Sequence, residues 1–251
     1  MFDMSPIDFT QLAAEPTFKA QVKDEEEQAP ELGNDDLPNQ ELITELFELF
    51  FEKVHVLLPC LYQKQVMDDL ASAGPLSRPN TLTYAILAIA GYLHPRPEIK
   101  RISEIWQIRA KEAFDDAVAQ GKYTQLSVQG GIYICLRMFG LSQMHELWPF
   151  LGQVWRMCQP LGLNVLDNEA QFKRSWLPLA RSEQENEERR RTMWAVYILD
   201  RVVSVSVPWS MNILDDEFCV NFPASEEVFQ SASMNVRTPL PPSPRTHLTP
   251  P

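Results

Sequence analysis

The sequence contains few of the residues that usually build metal sites or disulfide frameworks. Its 251 residues include only four cysteines and four histidines. The cysteines stand 75, 23 and 61 positions apart, a spacing that matches no paired-cysteine zinc site. They are Cys60, Cys135, Cys158 and Cys219. Since all four have apolar neighbours in the sequence, we predict buried thiols in an intracellular protein.

Long apolar runs are also missing. The longest, from Ala85 to Leu93, is well short of the roughly 20 residues that a membrane-spanning helix needs. The N-terminus carries Asp3 and Asp8 instead of a cationic start followed by an apolar run, so it does not resemble a secretory signal. We therefore expect an intracellular, soluble protein without a membrane partner.

The motifs of common catalytic and phosphate-binding sites are incomplete in this sequence. His145-Glu146 begins the metalloprotease helix motif, but Pro149 stands where the second histidine should be. A phosphate loop at Gly121-Lys122 would need a glycine at position 116 and a serine or threonine at position 123, and neither is present. The acidic pairs at 68–69, 115–116 and 215–216 are not completed as an aspartate-rich magnesium motif would require. We therefore expect neither enzymatic activity nor a cofactor.

Most of the negative charge lies near the N-terminus. The net charge is −12, and residues 1–40 contribute −8 of it through ten acidic residues and two lysines. A chain with this charge repels nucleic acid on average. Because residues 1–38 are acidic and poor in apolar side chains, we predict a largely disordered leader. Six of the fourteen residues from 238 to 251 are proline, and we predict a disordered, proline-rich tail over residues 229–251.

Between these segments, residues 39–228 have the apolar periodicity of helices. From Leu42 to Val54, for example, apolar side chains recur at steps of three and four, and Asn39 is placed to cap the helix. The helical stretches cover residues 40–55, 63–72, 81–93, 98–120, 124–139, 143–159 and 183–207. We predict an all-α domain, a bundle or array of about seven antiparallel helices joined by short loops.

The last of these helices has a charged first half. Glu185 and Glu187 lie one turn before Arg189 and Arg191, the orientation of favourable exposed ion pairs. DNA contact or nuclear import is an alternative role for the triplet Arg189–Arg191. Because acidic residues flank the triplet, we instead expect it to lie on the helix surface.

Two charges interrupt the apolar second half of the same helix. Asp200 and Arg201 lie inside the run from Met193 to Val207. An unpaired buried charge costs several kcal/mol, so each of the two needs a partner. Arg156 lies on the face of the preceding helix and is a candidate partner for Asp200. We therefore predict a buried ion pair between Arg156 and Asp200.

Several short motifs follow one another in order between residues 161 and 223. Leu161-Gly162-Leu163 precedes a Glu-rich linker, the charged motif at 188–191 with its tryptophan, and then the motif at 197–201. An acidic pair and a proline follow. This ordered set resembles the middle homology region of fungal zinc-cluster transcription factors, over about residues 40–225. The residues that carry the signature are Leu161, Gly162, Leu163, Glu188, Arg190, Arg191, Trp194, Tyr197, Asp200, Arg201 and Pro223.

The resemblance implies a regulatory, non-catalytic domain of a nuclear transcription factor. Such domains modulate transcription through self-association, protein partners or small-molecule effectors. The DNA contacts of the family come from a separate zinc-binding module of six closely spaced cysteines, which this sequence lacks. The resemblance therefore implies that this chain by itself has no nucleic-acid partner and holds no zinc.

The resemblance ends near Pro223, whereas the helical region of the family normally continues. We therefore expect either a shortened relative or a fragment of a longer product. The alternative function is that of a helical metabolite-binding or scaffold protein that associates with full-length regulators.

Overall fold

The computed structural model describes residues 30–72, 76 and 78–231. All regular secondary structure within these ranges is helical, so the predicted all-α fold is confirmed. The α-helices are α1 (Gln40–Lys53), α2 (Gln63–Ala71), α3 (Thr81–Leu93), α4 (Pro97–Ala119), α5 (Gln125–Gly140), α6 (Met144–Leu161), α7 (Glu169–Phe172), α8 (Glu183–Ser206) and α9 (Glu226–Gln230). Short 3-10 helices lie at Leu163–Val165 and Asp215–Glu217. No helix in the described ranges is both long enough and apolar enough to cross a membrane.

Polar side chains begin most of the long helices. The side-chain oxygen of Asn39 accepts a hydrogen bond from the N–H of Leu42 at 2.9 Å, so the predicted cap of α1 is confirmed. Asn80, Thr124 and Ser182 cap α3, α5 and α8 in the same way. These side chains satisfy N–H groups that have no acceptor within the helix, and they set where each helix begins.

The motif after α6 depends on its central glycine. The helix continues two residues past its predicted end at 159 and stops at Leu161, where Gly162 takes the left-handed conformation with a φ of 72°. A Cβ atom at this position would lie 2.4 Å from the Cβ of Ser175. Both the backbone conformation and the close packing therefore require glycine between Leu161 and Leu163.

The core is arranged around α3, in which eleven of thirteen residues are buried. This helix contacts α1, α4 and α5, while α5 also contacts α6 and α8. The approach of α5 to α3 is close enough to need Gly130, since a Cβ there would lie 2.7 Å from a backbone atom of Thr81. Through α5 and α6 the core supports α8, the helix that carries most of the signature residues.

On the N-terminal side, the fold begins before the predicted boundary at residue 39. The hydroxyl of Tyr84 donates to the carbonyl oxygen of Asp35 at 2.6 Å, and the indole nitrogen of Trp106 donates to that of Asp36 at 2.8 Å. Residues 35 and 36 are therefore held against α3 and α4. The remainder of the predicted leader, residues 1–29, lies outside the described part of the chain.

On the C-terminal side, the fold continues past the predicted boundary at residue 228. Phe229 in α9 has no exposed surface, and the side-chain amide of Gln230 donates to the carbonyl oxygen of Leu61 at 3.1 Å. The boundary at 228 thus divides a helix whose second half packs on the loop before α2. Most of the predicted proline-rich tail, residues 232–251, lies outside the described residues.

Replacing Phe229 by alanine tests the contribution of α9. The ring of Phe229 packs on that of Tyr62, with centroids 5.9 Å apart. We expect Phe229→Ala to lower the free energy of unfolding by about 3 kcal/mol, the usual cost of removing a buried aromatic ring. Val228→Ala is the control because Val228 is 45% exposed, and it should cost less than about 0.5 kcal/mol. Urea denaturation measures both values, and equal effects would contradict the packing of α9.

Candidate functional site

The first half of α8 carries its three arginines in the interior of the domain. Arg189, Arg190 and Arg191 expose 2%, 7% and 6% of their surface. The predicted pairs are present, since Glu185 lies 2.6 Å from the guanidinium of Arg189 and Glu187 lies 3.1 Å from that of Arg191. The predicted position on an exposed helix surface is wrong for the triplet, because other parts of the chain cover it. Arg189 contacts Pro178, Arg190 contacts Asp167, and Arg191 contacts the C-terminal segment, defined here as residues 207–231.

The carboxylate of Glu187 is the centre of this buried cluster. It exposes 1% of its surface and accepts hydrogen bonds from Arg190 at 2.6 Å and from Arg191 at 3.1 Å. A third hydrogen bond comes from the backbone N–H of Ala224 at 2.7 Å. Two guanidinium groups and one N–H group thus replace the hydrogen bonds to water that the buried carboxylate loses on folding. The third bond attaches the C-terminal segment to α8.

Arg190 extends the cluster to the loop after α6. Its Nε and Nη2 donate to the two carboxylate oxygens of Asp167 at 3.3 and 2.8 Å, the bidentate geometry that favours arginine over lysine. Asp167 also accepts a hydrogen bond from the backbone N–H of Asn221 at 2.7 Å. A single carboxylate therefore joins α8, the loop at 167 and the C-terminal segment.

Arg191 binds two further parts of the chain. Its Nη1 donates to the carbonyl oxygen of Pro59 at 3.0 Å, and its Nη2 donates to that of Ala224 at 2.7 Å. The guanidinium also pairs with Glu226 and lies 4.2 Å from the centre of the Phe229 ring. Arg191 thus connects the loop between α1 and α2 with the C-terminal segment.

The aromatic signature residues of α8 hold the middle of the C-terminal segment. The indole nitrogen of Trp194 donates to the carbonyl oxygen of Asn221 at 2.6 Å, and its ring stacks on Phe222 with centroids 4.9 Å apart. Phe218 fills the space between the rings of Trp194 and Tyr197, at centroid distances of 5.0 and 4.5 Å. These contacts bury apolar surface on a stretch that has little regular secondary structure.

Asp200 is buried as predicted, with 1% of its surface exposed, but its predicted ion pair with Arg156 is wrong. The carboxylate accepts hydrogen bonds from the backbone N–H groups of Asn212 and Ile213 at 2.9 and 3.0 Å, and from the side-chain amide of Asn212 at 3.0 Å. Arg156 is exposed, and its Nη1 donates instead to the carbonyl oxygen of Gly152 at 2.9 Å. The turn after α8 brings two backbone donors to Asp200, and the charged partner of this carboxylate is the neighbouring Arg201, whose Nη1 lies 3.4 Å from Asp200 Oδ2.

Arg201 and Tyr197 hold the other side of the same turn. Arg201 donates to the carbonyl oxygen of Ile213 at 2.9 Å and to the carboxylate of Asp215 at 2.8 Å. The hydroxyl of Tyr197 donates to the same carboxylate oxygen at 2.9 Å, and the guanidinium of Arg201 lies 4.3 Å from the Tyr197 ring centre. The signature residues in the second half of α8 therefore fix residues 212–215.

The motif at Leu161–Leu163 supports the cluster from outside α8. Leu161 and Leu163 are buried, and the turn at Gly162 leads the chain to Asn164. The side-chain amide of Asn164 donates to the carbonyl oxygen of Glu217 at 3.0 Å, and the backbone carbonyl oxygen of Asn164 accepts from the N–H of Cys219 at 2.7 Å. This places the loop that carries Asp167 against the C-terminal segment.

Glu188 is the signature residue that faces away from the cluster. Its carboxylate accepts a hydrogen bond from the side-chain amide of Gln129 in α5 at 2.9 Å. Burial raises the pKa of the Glu188 carboxyl to about 7, and the negative charges of Glu185 and Asp69 shift it in the same direction. Pro223, by contrast, lies on the cluster side and lines a small apolar cleft beside Trp194.

All four cysteines are free thiols. Cys60, Cys135 and Cys158 are buried as predicted, whereas Cys219 is half-buried. Burial raises the pKa of the Cys60 thiol to about 12 and raises those of Cys135 and Cys158 as well, so these thiols are unreactive near neutral pH. In the described part of the chain, no group of three or more histidine, cysteine or acidic side chains is placed to hold a metal ion.

The sequence predicted the pair of Glu187 with Arg191, because the two stand four positions apart on a helix, but it missed two other carboxylates of the cluster. Asp167 had no local signal, because 23 positions separate it from Arg190. Glu226 lies further still, 35 positions after Arg191. Only the folded chain brings these carboxylates to the arginines.

Alanine at Asp200 tests the turn that this residue holds. We expect Asp200→Ala to lower the free energy of unfolding by more than about 2 kcal/mol, because four donor groups lose a buried charged acceptor. Arg156→Ala should change it by less than about 0.5 kcal/mol, since Arg156 is exposed and does not pair with Asp200. Urea denaturation compares the two variants, and similar losses for both would support the ion pair that the structure contradicts.

The raised pKa of Glu188 predicts a pH dependence of stability. The carboxyl titrates at about 7 in the folded protein and near 4.5 in the unfolded chain. The unfolded chain therefore loses this proton first, and stability falls as pH rises from 4.5 to 7 by about 3 kcal/mol. Glu188→Gln keeps an acceptor for Gln129 but cannot ionise. The free energy of unfolding of this variant minus that of the natural protein should therefore increase from pH 4.5 to 7 and stay constant above pH 7. Urea denaturation from pH 5 to 8 measures the difference, and a constant difference would contradict the shifted pKa.

Comparisons with known proteins agree with the order of motifs on α8 and around it. The profile described as "Fungal specific transcription factor domain" matches residues 47–249. The chain is 28% identical over 192 residues to the ascochitine biosynthesis cluster transcriptional regulator of Didymella fabae, covering 74% of this chain and 32% of the relative. It is 24% identical over 240 residues to the citrinin biosynthesis transcriptional activator mrl3 of Monascus ruber, covering 91% of this chain and 43% of the relative.

A third relative is the Zn(2)-C6 fungal-type transcription factor FTF1c of Fusarium oxysporum f. sp. lycopersici, 28% identical over 232 residues, with 85% of this chain and 24% of the relative covered. The chain thus spans less than half the length of each of these three relatives. No solved structure matches it. Because the family profile covers most of the 251 residues, this chain belongs to the family of the fungal-specific transcription factor domain.

Proposed function

We propose that the chain is a non-catalytic regulatory domain that acts in the nucleus and modulates transcription through protein contacts rather than through DNA contacts of its own. The observation that carries this proposal is the use of the signature residues. Apart from Glu188, which faces Gln129, the signature residues of α8 hold the C-terminal segment against this helix, directly or through Glu187 and Asp167, instead of lining an exposed basic surface. Two of the relatives are named as a transcriptional regulator and a transcriptional activator, which supports the same function.

The burial of the basic triplet argues against a direct role in DNA binding. Arg189 to Arg191 are the only run of three cationic residues in the sequence, and each is engaged with carboxylates or carbonyl groups inside the domain. Phosphate contacts require accessible guanidinium or ammonium groups. In this proposal, DNA recognition and its zinc belong to another module, and the described residues need no cofactor.

A gel-shift experiment tests the absence of DNA binding. Purified chain should not retard any promoter fragment in a sequence-dependent way at physiological salt, because its net charge is −12 and its basic cluster is buried. A specific shift produced by the chain alone would contradict the proposal. The expected result alone does not establish regulation, so a second experiment measures that directly.

A reporter experiment tests regulation. Residues 1–251 are fused to a heterologous DNA-binding domain, and the fusion should change reporter transcription relative to that domain alone at equal protein level. Glu187→Ala should abolish the change, because both guanidinium groups and the Ala224 N–H lose their shared acceptor. Glu183→Ala on the exposed first turn of α8 is the matched control and should leave it intact. Output equal to that of the DNA-binding domain alone would contradict the regulatory role.

A further inference from the structure

A cavity of about 610 Å³ lies between α2, α5 and the start of α8. This volume is in the range that holds small organic molecules. Its apolar wall includes Val66, Leu82 and Leu126, and its polar wall includes Asp69, Gln129 and Glu188. None of the contacts that fix the C-terminal segment to α8 uses these three polar side chains. The cavity is thus separate from the cluster around Glu187.

The charges on the cavity wall are mainly negative. Glu185 also lines the cavity, but it is paired with Arg189 at 2.6 Å. Within the described residues, neither Asp69 nor Glu188 has a cationic group within 4 Å. Arg181 is the cation among the described lining residues, and it is an exposed side chain. A cationic ligand would therefore find carboxylates that the protein has left uncompensated.

Gln129 provides a second, independent indication of a ligand. Its amide nitrogen lies 2.9 Å from Glu188 Oε1, 3.2 Å from the hydroxyl oxygen of Thr192 and 3.3 Å from the carbonyl oxygen of Cys60. These acceptors set the orientation of the amide, so its oxygen must point elsewhere. That oxygen is buried, and no hydrogen-bond donor contacts it in the described part of the chain. A buried acceptor without a donor is uncommon in a folded protein and requires an explanation.

The protonation of Glu188 is also sensitive to a ligand. Burial raises the pKa of its carboxyl to about 7, with Glu185 and Asp69 raising it and the Gln129 hydrogen bond and Arg189 lowering it. Near neutral pH the carboxyl therefore exists in both forms. A cation placed beside it would favour the charged form through direct attraction between opposite charges.

We propose that this cavity binds a small organic ammonium ion, a primary or secondary amine with an apolar body. The ammonium group donates to the carboxylate of Glu188 and to the amide oxygen of Gln129, while the apolar body lies against Val66, Leu82 and Leu126. A metal ion is a poorer fit, since no three acidic, histidine or cysteine side chains of the described residues are grouped to hold one. An anionic ligand is disfavoured by the carboxylates. The role of such an amine as an effector rests on the proposed regulatory function, whereas its binding does not.

Isothermal titration calorimetry with the full chain tests the proposal, with phenethylamine as the probe. 2-Phenylethanol and 3-phenylpropionate are the neutral and anionic controls of similar size. We expect phenethylamine to bind more tightly than either, and Glu188→Gln to weaken its binding about tenfold or more through loss of the buried charge. Glu183→Gln removes an equal charge from the exposed first turn of α8 and should leave the affinity unchanged. Equal affinity for the alcohol, equal affinity in Glu188→Gln, or no detectable binding of phenethylamine would each overturn the proposal.

Release of a proton on amine binding provides a second measurement. If Glu188 only supported the fold, amine binding would not change its protonation and no proton would be released. At pH 6 the carboxyl is mostly protonated, so binding of the ammonium ion should release a proton and the heat should depend on the ionisation enthalpy of the buffer. The affinity should rise from pH 5.5 to 8, a range over which the amine stays charged. Glu188→Gln should remove both effects, and its cooperative unfolding confirms that it is folded. Binding without proton release would overturn the assignment of Glu188.

The two proposals can fail separately. Loss of amine binding with an intact reporter response would remove the ligand and leave the regulatory function. Amine binding without a reporter response would remove the regulatory function and leave the ligand site.

Discussion

The rest of the domain's C-terminal half depends on the buried carboxylate of Glu187. A charge with 1% exposure is tolerated only when donors replace the water that it has lost. Here Arg190, Arg191 and the backbone N–H of Ala224 supply those donors. Removal of one member of such a network leaves a charge without compensation, at a cost of roughly 3–5 kcal/mol. The position of residue 224 against α8 therefore depends on the carboxylate of Glu187.

The same physical solution recurs along α8. The C-terminal segment has little regular secondary structure, so many of its N–H and C=O groups need partners outside a helix. Side chains of α8 provide them: Asp200 accepts from two backbone N–H groups, Trp194 donates to Asn221, and Arg191 donates to Ala224. One long helix thus determines the path of an irregular chain, and the signature residues are the ones that make these contacts.

Two neighbouring acidic residues of α8 have opposite environments. The carboxylate of Glu187 accepts hydrogen bonds from two arginines and a backbone N–H within the cluster. The carboxyl of Glu188 instead faces a cavity, accepts a hydrogen bond from one side-chain amide and has a raised pKa. Successive residues of a helix point about 100° apart, so one step along the sequence moves a carboxylate from one side of α8 to the other. The rigid contacts and the ligand-sensitive carboxyl are therefore parts of the same helix. In this way a small molecule bound at Glu188 would act directly on the element that holds the C-terminal segment.

The sequence by itself determined the features whose cause is local. The 3.6-residue period predicted the seven long helices, the cap at Asn39 and the pairs of Glu185 and Glu187 with arginines one turn away, and the order of motifs indicated the family. It did not locate Asp167, which stands 23 positions from Arg190. Nor did it identify most partners of Asp200, which are the two N–H groups of residues 212 and 213 and the side-chain amide of Asn212 in the next turn. Only the tertiary structure decided those contacts and the burial of the arginine triplet, because each depends on where distant parts of the chain pass α8, and periodicity carries no information about those paths.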